Sequence, residues 1–551
     1  MTTDQNYQQI YRVGGMLDAG FVGQITYTIS LDQVYDELDI HFSFDKRLYS
    51  ESDVTPELID RLQTLCTAKY DAPTYPVEEF RQTILHEMKT EIHTMAELND
   101  NFIGCIHRQL TDRHMLYTKE FTSDGCLAQD TFSGVLKVTV LVFNVLLDNT
   151  QYTLTVSGHP VGQGVIAPNF NLMDTVKTAA GNTGASNDAG SADNSCEAES
   201  VPASAVAMAG SSGVSGAGSA ATAGDSSTTG SSSAGNTVTA STRFKRLELH
   251  NHTVESDGSL TCQELTEYLA ADHVDAFAIT DHNTTSGQKK IEQLLEEKHY
   301  PISLIRGMEY TTYFGHILCL NLAKYVPWNS IDQHRPELLF EAAREKGALV
   351  GIAHPFSYGD PFARGCRFEM TISDYSKVDF IEIFNNPEPL HEVNERGTNL
   401  WMSLIFSGYQ ITATSGMDLH NRAKLAGCYA TYIEGKSGGN IASELDTAIH
   451  THRTWVSKGA LLLTEVLPET NELLLTFTDA HKPGFAVPKT AQVVLKGKDK
   501  TFTTSVSLDK PVRVSLNQLS GTDPIIPLLY EAASDSCVNA AAASTSCSNT
   551  A

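Results

Sequence analysis

The chain has 551 residues, 41% of them hydrophobic and 19% charged, and a net charge of −27. That length predicts two or three domains with ample apolar material for their cores. The acidic balance argues against broad contact with a nucleic-acid backbone, so no nucleic-acid polymer is expected as a partner. It leaves room for a small anionic substrate in a locally positive, metal-containing pocket. No run of about 18 apolar residues occurs, so no membrane span is expected. The opening "MTTDQNYQQIYRVGG" lacks a basic stretch followed by an apolar one, and the ten cysteines form no CxxC pair. Free thiols in a reducing cytoplasm are the expectation.

Residues 1–173 read as a β-rich domain. "VGQITYTISL", "ELDIHFSFD" and "GVLKVTVLVFNVLLDNTQYTLTVSG" carry β-branched and aromatic residues in partial alternation. A helical stretch, "VEEFRQTILHEMKTEIHTMAEL", interrupts them, which suggests a β-sandwich with a helical insertion. Its six histidines show no ligand-like cluster; His86 and His93, seven apart, could share a helix face and read as ordinary. Residues 174–242 are Ala, Ser, Gly, Thr and Asn, too polar and small to offset their ordering entropy, and read as a disordered tether between separable modules. The tail 531–551 reads the same way.

From 243 to 465 the rhythm becomes strand, then helix, repeatedly. "RLELH" is a strand and "TCQELTEYLAAD" a helix, with Thr261 and Glu264 spaced as a capping box. "DAFAITDH" is a strand and "SGQKKIEQLLEEK" a helix capped by Ser286. The strands "ISLIRGME" and "HILCLNLA" follow, then the helix "RPELLFEAAREKG", closed by Gly347. "ALVGIAHP", "VDFIEIFNN" and "YQITATSGMDLH" are further strands, with a helix between the last two. This pattern implies an α/β barrel or a doubly wound sheet. Residues 466–530, including "NELLLTFTDAHKPGFAVPKTAQVVLKGKDKTFTTSVSL", read as a short C-terminal β extension.

In this half the chemically capable residues fall at strand ends. His250 and His252 end the first strand, Asp281 and His282 the second, Glu309 the third, His354 a later one, and Asp418 and His420 the last. Side chains at the carboxyl ends of barrel strands converge on one rim. On a strand, positions i and i+2 share a face, so His250 and His252 can reach one ion while Asn251 points away. Asp418 and His420 repeat the spacing. Asp257, in the turn "ESDG", can fold back over the rim. Mixed imidazole and carboxylate ligands suit a divalent metal. His316 either lines a strand or ligates, Asp281 either binds metal or orients His282, and Glu382 is a buried or rim acid. A second His-x-His, His450 and His452, lies in "NIASELDTAIHTH", which reads as a helix. There i and i+2 stand about 200° apart and cannot easily grip one ion. His273, His299, His334 and His391 read as ordinary.

Taken together, "LHNHTVESDG", "ITDHNT", "RGMEYTT", "GHILCL", "GIAHPF", "IEIFNN" and "SGMDLH" resemble, in order, the motifs of the PHP (polymerase and histidinol phosphatase) metallohydrolase family, over about residues 244–460. The resemblance implies a distorted (β/α)7 barrel holding two to three divalent ions (Zn, Mn or Fe). It implies that His250, His252, Glu309 and Asp418 hold one ion, that Glu309 bridges to a second completed by His316 and His354, and that Asp257, His282 and His420 hold a third. Arg364 and Arg367, in "FARGCRF", would hold a phosphate or else be exposed loop charges. The implied activity is a phosphoesterase acting on a small phosphorylated metabolite through a metal-bridging hydroxide. The β-rich N-terminal domain and the C-terminal strands resemble the branch that includes carbaryl hydrolase, so hydrolysis of a carboxylic ester, carbamate or amide is an alternative. A third reading is a binding protein whose N-terminal domain recognises a polymer or partner.

Overall fold

Between residues 7 and 161 lie seven strands and two helices: β1 (Gln8–Leu17), β2 (Gly23–Phe44), α1 (Pro56–Tyr70), α2 (Val77–Glu87), β3 (Glu91–Leu98), β4 (Asn101–Ile106), β5 (Asp112–Tyr117), β6 (Phe132–Asn144) and β7 (Thr150–Pro160). The structure, a computed structural model, describes residues 7–45, 47–70, 76–146, 149–161, 242–331, 334–385, 392–519, 524–531 and 540–541. The tether at 174–242 lies outside the described residues apart from Thr242, and the tail at 531–551 apart from Glu531 and a short strand at Ala540–Ala541; His391 lies outside them too.

The two strands read at "VGQITYTISL" and "ELDIHFSFD" are one strand, β2, of 22 residues. An irregularity between Leu31 and Tyr35 accommodates the polar residues in its middle. Its first half pairs with β6, its second half with β7 on one side and β5 on the other. β7 continues to β1, and β6 to β3 and β4. Two sets of strands thus share β2 and enclose one core, which includes Tyr27, Ile29, Ile40, Phe42, Val138, Val140, Leu154 and Val156. The helix expected over 77–98 ends at Glu87. Beyond it, Glu91–Leu98 is a strand laid between β6 and β4 and buried at nearly every position. Cross-strand pairing there outweighs the helical propensity of the sequence.

The next region contains β8 (Thr242–Glu248), α3 (Cys262–Ala271), β9 (Ala276–Ile279), α4 (Ser286–Lys298), β10 (Ser303–Thr312), β11 (Gly315–Leu320), α5 (Glu337–Glu345), β12 (Leu349–Ile352), β13 (Phe380–Asn385), α6 (Glu392–Phe406), β14 (Thr412–Gly416), β15 (Ala430–Lys436), α7 (Ile441–His450) and β16 (Thr454–Ser457). Nine strands form one sheet in the order β14-β13-β12-β11-β10-β9-β8-β15-β16. It is a mixed sheet. β8, β9 and β10 run parallel, as do β12, β13 and β14, whereas β11 and β15 each run antiparallel to both of their neighbours. The tight β10–β11 hairpin, with only Tyr313 and Phe314 in its turn, is one reason the alternation is not all parallel. The sheet nearly closes. Across the seam, Thr431 Oγ1 exchanges hydrogen bonds with the backbone of Ser415 (2.9 and 3.0 Å), and Thr454 Oγ1 donates to Ala413 O (2.8 Å).

The helix signals have physical counterparts. Thr261 and Glu264 form a reciprocal capping box. Gly347 (φ 82°) and Gly408 (φ 95°) follow α5 and α6 in the left-handed conformation that ends a helix. Ser286 differs from expectation: it is the first helical residue, and its hydroxyl donates to Glu255 Oε2 (2.7 Å) instead of capping.

After the barrel, β17 (Ala460–Leu467), β18 (Glu472–Asp479) and β21 (Val512–Ser515) form one small sheet. β19 (Thr490–Lys496), β20 (Thr501–Ser507), β22 (Ile526–Glu531) and β23 (Ala540–Ala541) form another. Their core, including Leu461, Leu473, Val493 and Leu495, takes in Tyr432 and Trp455 from the barrel. The N-terminal strands also share a core with the barrel: Met95, Cys105, Leu141 and Phe143 pack with Met308, Tyr310, Tyr313 and Trp328. Phe102 stacks on Tyr325 (ring centroids 3.9 Å apart), and Tyr313 Oη donates to Gly23 O (2.9 Å). The two regions are packed together, which differs from a picture of separable modules. Among the described residues, no helix is long and apolar enough to cross a membrane, and seven cysteines are free thiols.

Candidate metal centre

His250 and His252 follow the end of β8, and Asp418 and His420 follow the end of β14. The two segments lie side by side through a parallel bridge between Asn251 and Leu419. His252 N donates to Leu419 O (2.9 Å), and Leu419 N donates to His250 O (3.1 Å). Although the left-handed turn at Asp418 (φ 50°) departs from strict alternation, the four flanking side chains meet on one side: Asp418 Oδ1 is 3.4 Å from His250 Nε2, and the rings of His252 and His420 stack with centroids 4.2 Å apart. Asn251 turns the other way, its amide donating to Ala278 O (2.9 Å) and Glu248 O (3.2 Å). Gly416 allows the close approach, because a Cβ there would lie 2.5 Å from His250 Cβ and 2.7 Å from Glu382 Oε1.

At the middle of the group is Glu309, wholly buried; it lies inside β10, not at the strand end expected for it, because the ladder with β11 runs on to Thr312. Its Oε2 lies 3.1 Å from His250 Nε2, 3.4 Å from His252 Nε2 and 3.0 Å from His282 Nδ1. Its Oε1 lies 2.8 Å from His316 Nδ1 and 3.0 Å from His354 Nε2. Asp418 Oδ1 is 3.0 Å from His252 Nε2 and 3.4 Å from His250 Nε2, and Asp418 Oδ2 is 3.9 Å from His354 Nε2. Asp257 Oδ1 stands 3.2 Å from His420 Nε2 and 3.6 Å from His282 Nε2. All nine candidate ligands therefore fall in one connected group. Within it, His250, His252, Glu309 and Asp418 converge in one set, His252, Asp257, His282 and His420 in a second, and His282, Glu309 and His316 in a third.

The donor chemistry fits divalent cations. His250 Nε2, His252 Nε2, Glu309 Oε2, His316 Nε2, Asp257 Oδ1 and Asp418 Oδ1 are buried and have no hydrogen-bond partner. Orphaned buried polar atoms are costly, and here they face one another at the spacing of atoms that share an ion. Burial opposes ionisation of Glu309, Asp418 and Asp257, but the surrounding imidazoles outweigh it and hold all three well below the usual carboxylate range. Burial, reinforced by neighbouring imidazoles, pushes His252 down to about 3 and His282 down to about 4. Burial also opposes the charged form of His250, His354 and His420, but the carboxylates beside them outweigh it and raise all three, His420 to about 10, so a cation would have to displace their protons. Ionised carboxylates and neutral imidazoles are the ligating forms. Asp418 (φ 50°) and His354 (φ 24°) also adopt a left-handed backbone that non-glycine residues avoid unless the surroundings impose it.

The remaining candidates support this group from behind or lie beside it. Glu382 receives His250 Nδ1 at 3.1 and 3.2 Å, and its Oε2 also accepts from His354 N and Asn385 Nδ2 (both 3.0 Å), so it orients His250 from the rear. Asp281 makes no contact with the His282 ring. Its carboxylate accepts from Thr253 N (2.7 Å), Thr253 Oγ1 (2.8 Å) and Ser256 Oγ (2.7 Å), and so shapes the turn that leads to Asp257. Burial raises its pKa to about 7. Arg364 pairs with Asp360 (3.0 Å), and Arg367 stacks over Tyr70 and Phe356. The loop that carries them covers the centre: Cys366 O lies 3.2 Å from His354 Nδ1.

His450 and His452 lie elsewhere. His450 is the last residue of α7, with Nδ1 on Asp446 O (2.9 Å). His452, beyond the helix at φ 55°, places Nδ1 2.8 Å from Thr412 Oγ1. A side chain that sequence reasoning set aside does reach the centre: His107, on the loop after β4, stacks on His282 (ring centroids 4.1 Å) and lies 3.3 Å from Asp257 Oδ2.

Residues 7–160 match the model of a family of unknown function, DUF6669. Over 112 residues the chain is 30% identical to an uncharacterized protein of Methanocaldococcus jannaschii, covering 20% of this chain and 58% of that protein. Over 141 residues it is 36% identical to a 5'-3' exoribonuclease of Haemophilus influenzae, covering 24% of this chain and 50% of that one. The chain thus spans about half the length of these curated relatives. Among solved structures, a two-domain protein of Bacteroides vulgatus, described as containing a predicted PHP-like metal-dependent phosphoesterase, is similar at a TM-score of 0.32 and 15% identity, covering 54% of this chain and 95% of that one. An amidohydrolase from Chromobacterium violaceum gives a TM-score of 0.24 at 16% identity, covering 32% and 87%.

Proposed function

We propose that the chain is a metal-dependent hydrolase of the PHP type, and that it cleaves a phosphoester of a small phosphorylated molecule. One observation carries this reading: Glu309 turns its two oxygens to two different sets of imidazoles, an arrangement suited to joining neighbouring cations. Bound divalent ions would supply Lewis acidity, activating water and neutralising charge on a phosphoryl group. The chain's own part is positional. His250, His252, Glu309 and Asp418 would hold one ion, His316 and His354 with Glu309 a second, and Asp257, His282 and His420 a third. Glu382 fixes the His250 ring from behind, and Asp281 fixes the turn before Asp257. Arg364 and Arg367, on the loop over His354, are the cations proposed to hold the substrate phosphate; release of Arg364 from Asp360 would free its guanidinium for bidentate contact.

A second reading keeps the machinery and changes the substrate. Because a relative is named as a 5'-3' exoribonuclease, the 5' end of a short RNA is a reasonable phosphoester to test beside nucleotides and sugar phosphates. The experiment is elemental analysis of the purified chain together with turnover on p-nitrophenyl phosphate, nucleoside monophosphates, sugar phosphates, 5'-phosphorylated RNA oligonucleotides and a carboxylic-ester panel. Two to three ions per chain and turnover of a phosphoester are expected. A folded chain that cannot be loaded with Zn, Mn or Fe would overturn the metal reading, and turnover confined to carboxylic esters would overturn the phosphoester reading.

A further inference from the structure

Asp257 is the candidate ligand with the least local support, because it sits in a turn, with no strand or helix to fix it. Its two oxygens face different ways. Oδ1 faces His420 and His282 and has no hydrogen-bond partner, whereas Oδ2 is met at 3.3 Å by His107 Nε2. His107 comes from the N-terminal domain, 150 residues earlier in the chain, and is buried. Its ring is held between two others, His93 on one side (centroids 4.0 Å) and His282 on the other (4.1 Å). Behind it, Gln109 Nε2 donates to His107 O (2.9 Å) and lies 2.8 Å from His93 Nε2, which is itself 3.1 Å from Glu91 Oε1. All four of these side chains are buried, so the position of His107 is over-determined.

The same turn is gripped a second time. Gly125 N donates to Glu255 Oε2 (3.0 Å), and Thr284 Oγ1 donates to Gly125 O (2.9 Å). Gly125 has φ 80°, and a Cβ there would lie 2.3 Å from Cys105 O and 2.9 Å from Glu255 O, so the contact depends on glycine. The N-terminal domain therefore holds the ligand-bearing turn at residue 255 and again at 257.

We propose that His107 is a positioning residue of the metal centre: its Nε2–H holds Asp257 Oδ2 so that Oδ1 is presented toward His282 and His420, and the N-terminal domain thereby forms one wall of the site. The inference rests on the metal-centre reading above. It gives the region matching a family of unknown function a definite task, which is to hold the second oxygen of Asp257 while the barrel's own Asp281 shapes the turn before it. A hydrogen bond that orients a metal-binding carboxylate is worth about ten- to a hundredfold in metal affinity.

The test uses the full-length chain with His107→Phe and His107→Gln. Phenylalanine keeps a ring between His93 and His282 but donates nothing; glutamine gives up the ring but keeps an N–H donor for Asp257. Ions per chain are counted by elemental analysis, Mn and Zn affinities are measured by calorimetry, and the fold is checked by circular dichroism. His107→Phe should hold its most weakly bound ion about ten- to a hundredfold less tightly, so that purified protein carries one ion fewer. His107→Gln should stay close to the unsubstituted protein. Equal stoichiometry and affinity in His107→Phe would overturn the proposal, and so would equal losses in both variants, which would mean that the ring matters and the donor does not. If His107→Phe does not fold, His107→Asn replaces it, since its shorter amide cannot span the distance to Asp257; parity of Asn with Gln then overturns the proposal. An unsubstituted protein that takes up no metal would instead sink the metal-centre reading itself, so the two failures are distinguishable.

Discussion

The chain contains two His-x-His segments, 250–252 and 450–452, and they have opposite fates. His250 and His252 lie in extended backbone, are wholly buried, and turn their Nε2 atoms toward the same two carboxylates, those of Glu309 and Asp418. His450 is the last residue of a helix with its side chain 56% exposed, and His452 turns back to Thr412. The composition is the same, so backbone geometry makes the difference. An extended segment repeats its facing every two residues, whereas the second pair straddles a helix end: the helix expected through His452 stops at His450, and the left-handed turn at His452 (φ 55°) sends its ring back to Thr412. A motif in a sequence therefore acquires chemistry only through the element that carries it.

The strongest way to break this comparison is to remove a residue from the first site. His252→Ala and Asp418→Ala should each lower turnover by several orders of magnitude and reduce the ion count, because each takes a donor from the set that would generate the nucleophile. Turnover and elemental analysis, run in parallel on one preparation, check this. Retention of full metal by Asp418→Ala would show that the converging oxygens are not ligands. The loss in Asp418→Ala should persist at saturating metal if the carboxylate also sets the geometry around the ions.

A sharper version leaves every ligand in place. Gly416→Ala would press a methyl group against His250 Cβ and Glu382 Oε1. We expect the His250 ring to shift and metal affinity to fall by roughly ten- to a hundredfold, the range found when a ligand's orienting partner is lost. Glu382→Gln reaches the same ring from the other side by weakening the acceptor behind His250 Nδ1, and a smaller loss within that range is expected. Calorimetric titration of Zn into the metal-free variants separates these outcomes from simple unfolding. Unchanged affinity in both would mean that the neighbours of His250 do not orient it.

What the sequence made legible was local. The positions of His250, Asp281, His354 and Asp418 just beyond strand ends follow from short apolar runs that stop at a polar residue, and the paired spacings at 250–252 and 418–420 declare their common face; Glu309, expected at a strand end, lies inside β10 because the strand continues into the hairpin with β11. What stayed hidden depended on distance or on competition. His107 carries no pattern that distinguishes it, since its partner Asp257 lies 150 residues away and only tertiary packing brings them together. The stretch 77–98 reads as one helix because its helix-forming residues continue past Glu87, yet the ladder of β3 with β6 and β4 claims its second half. The long β2 reads as two strands because its polar middle looks like a turn. The role of Asp281 in shaping a turn, with no contact to the His282 ring, likewise rests on three donors that only the fold assembles.

The smallest expected effect belongs to the second His-x-His, and it is the most discriminating. His450→Ala removes an exposed side chain that caps Asp446 O on its own helix and lies 4.0 Å from Asp379 Oδ1. Exposed pairs of this kind contribute little, so stability should change by no more than about 0.5 kcal/mol. Turnover and ions per chain should match those of the unsubstituted protein, because none of the donors that converge on Glu309 belongs to this helix end. His452→Ala is a stricter companion, since it deletes the partner of Thr412 Oγ1 on β14, the strand that leads to Asp418. If backbone geometry decides function, His452→Ala lowers the melting temperature slightly and leaves the ion count unchanged. If either variant loses an ion in parallel with His252→Ala, the contrast between a His-x-His in extended backbone and one that straddles a helix end fails, and the centre must be rebuilt to include the second pair.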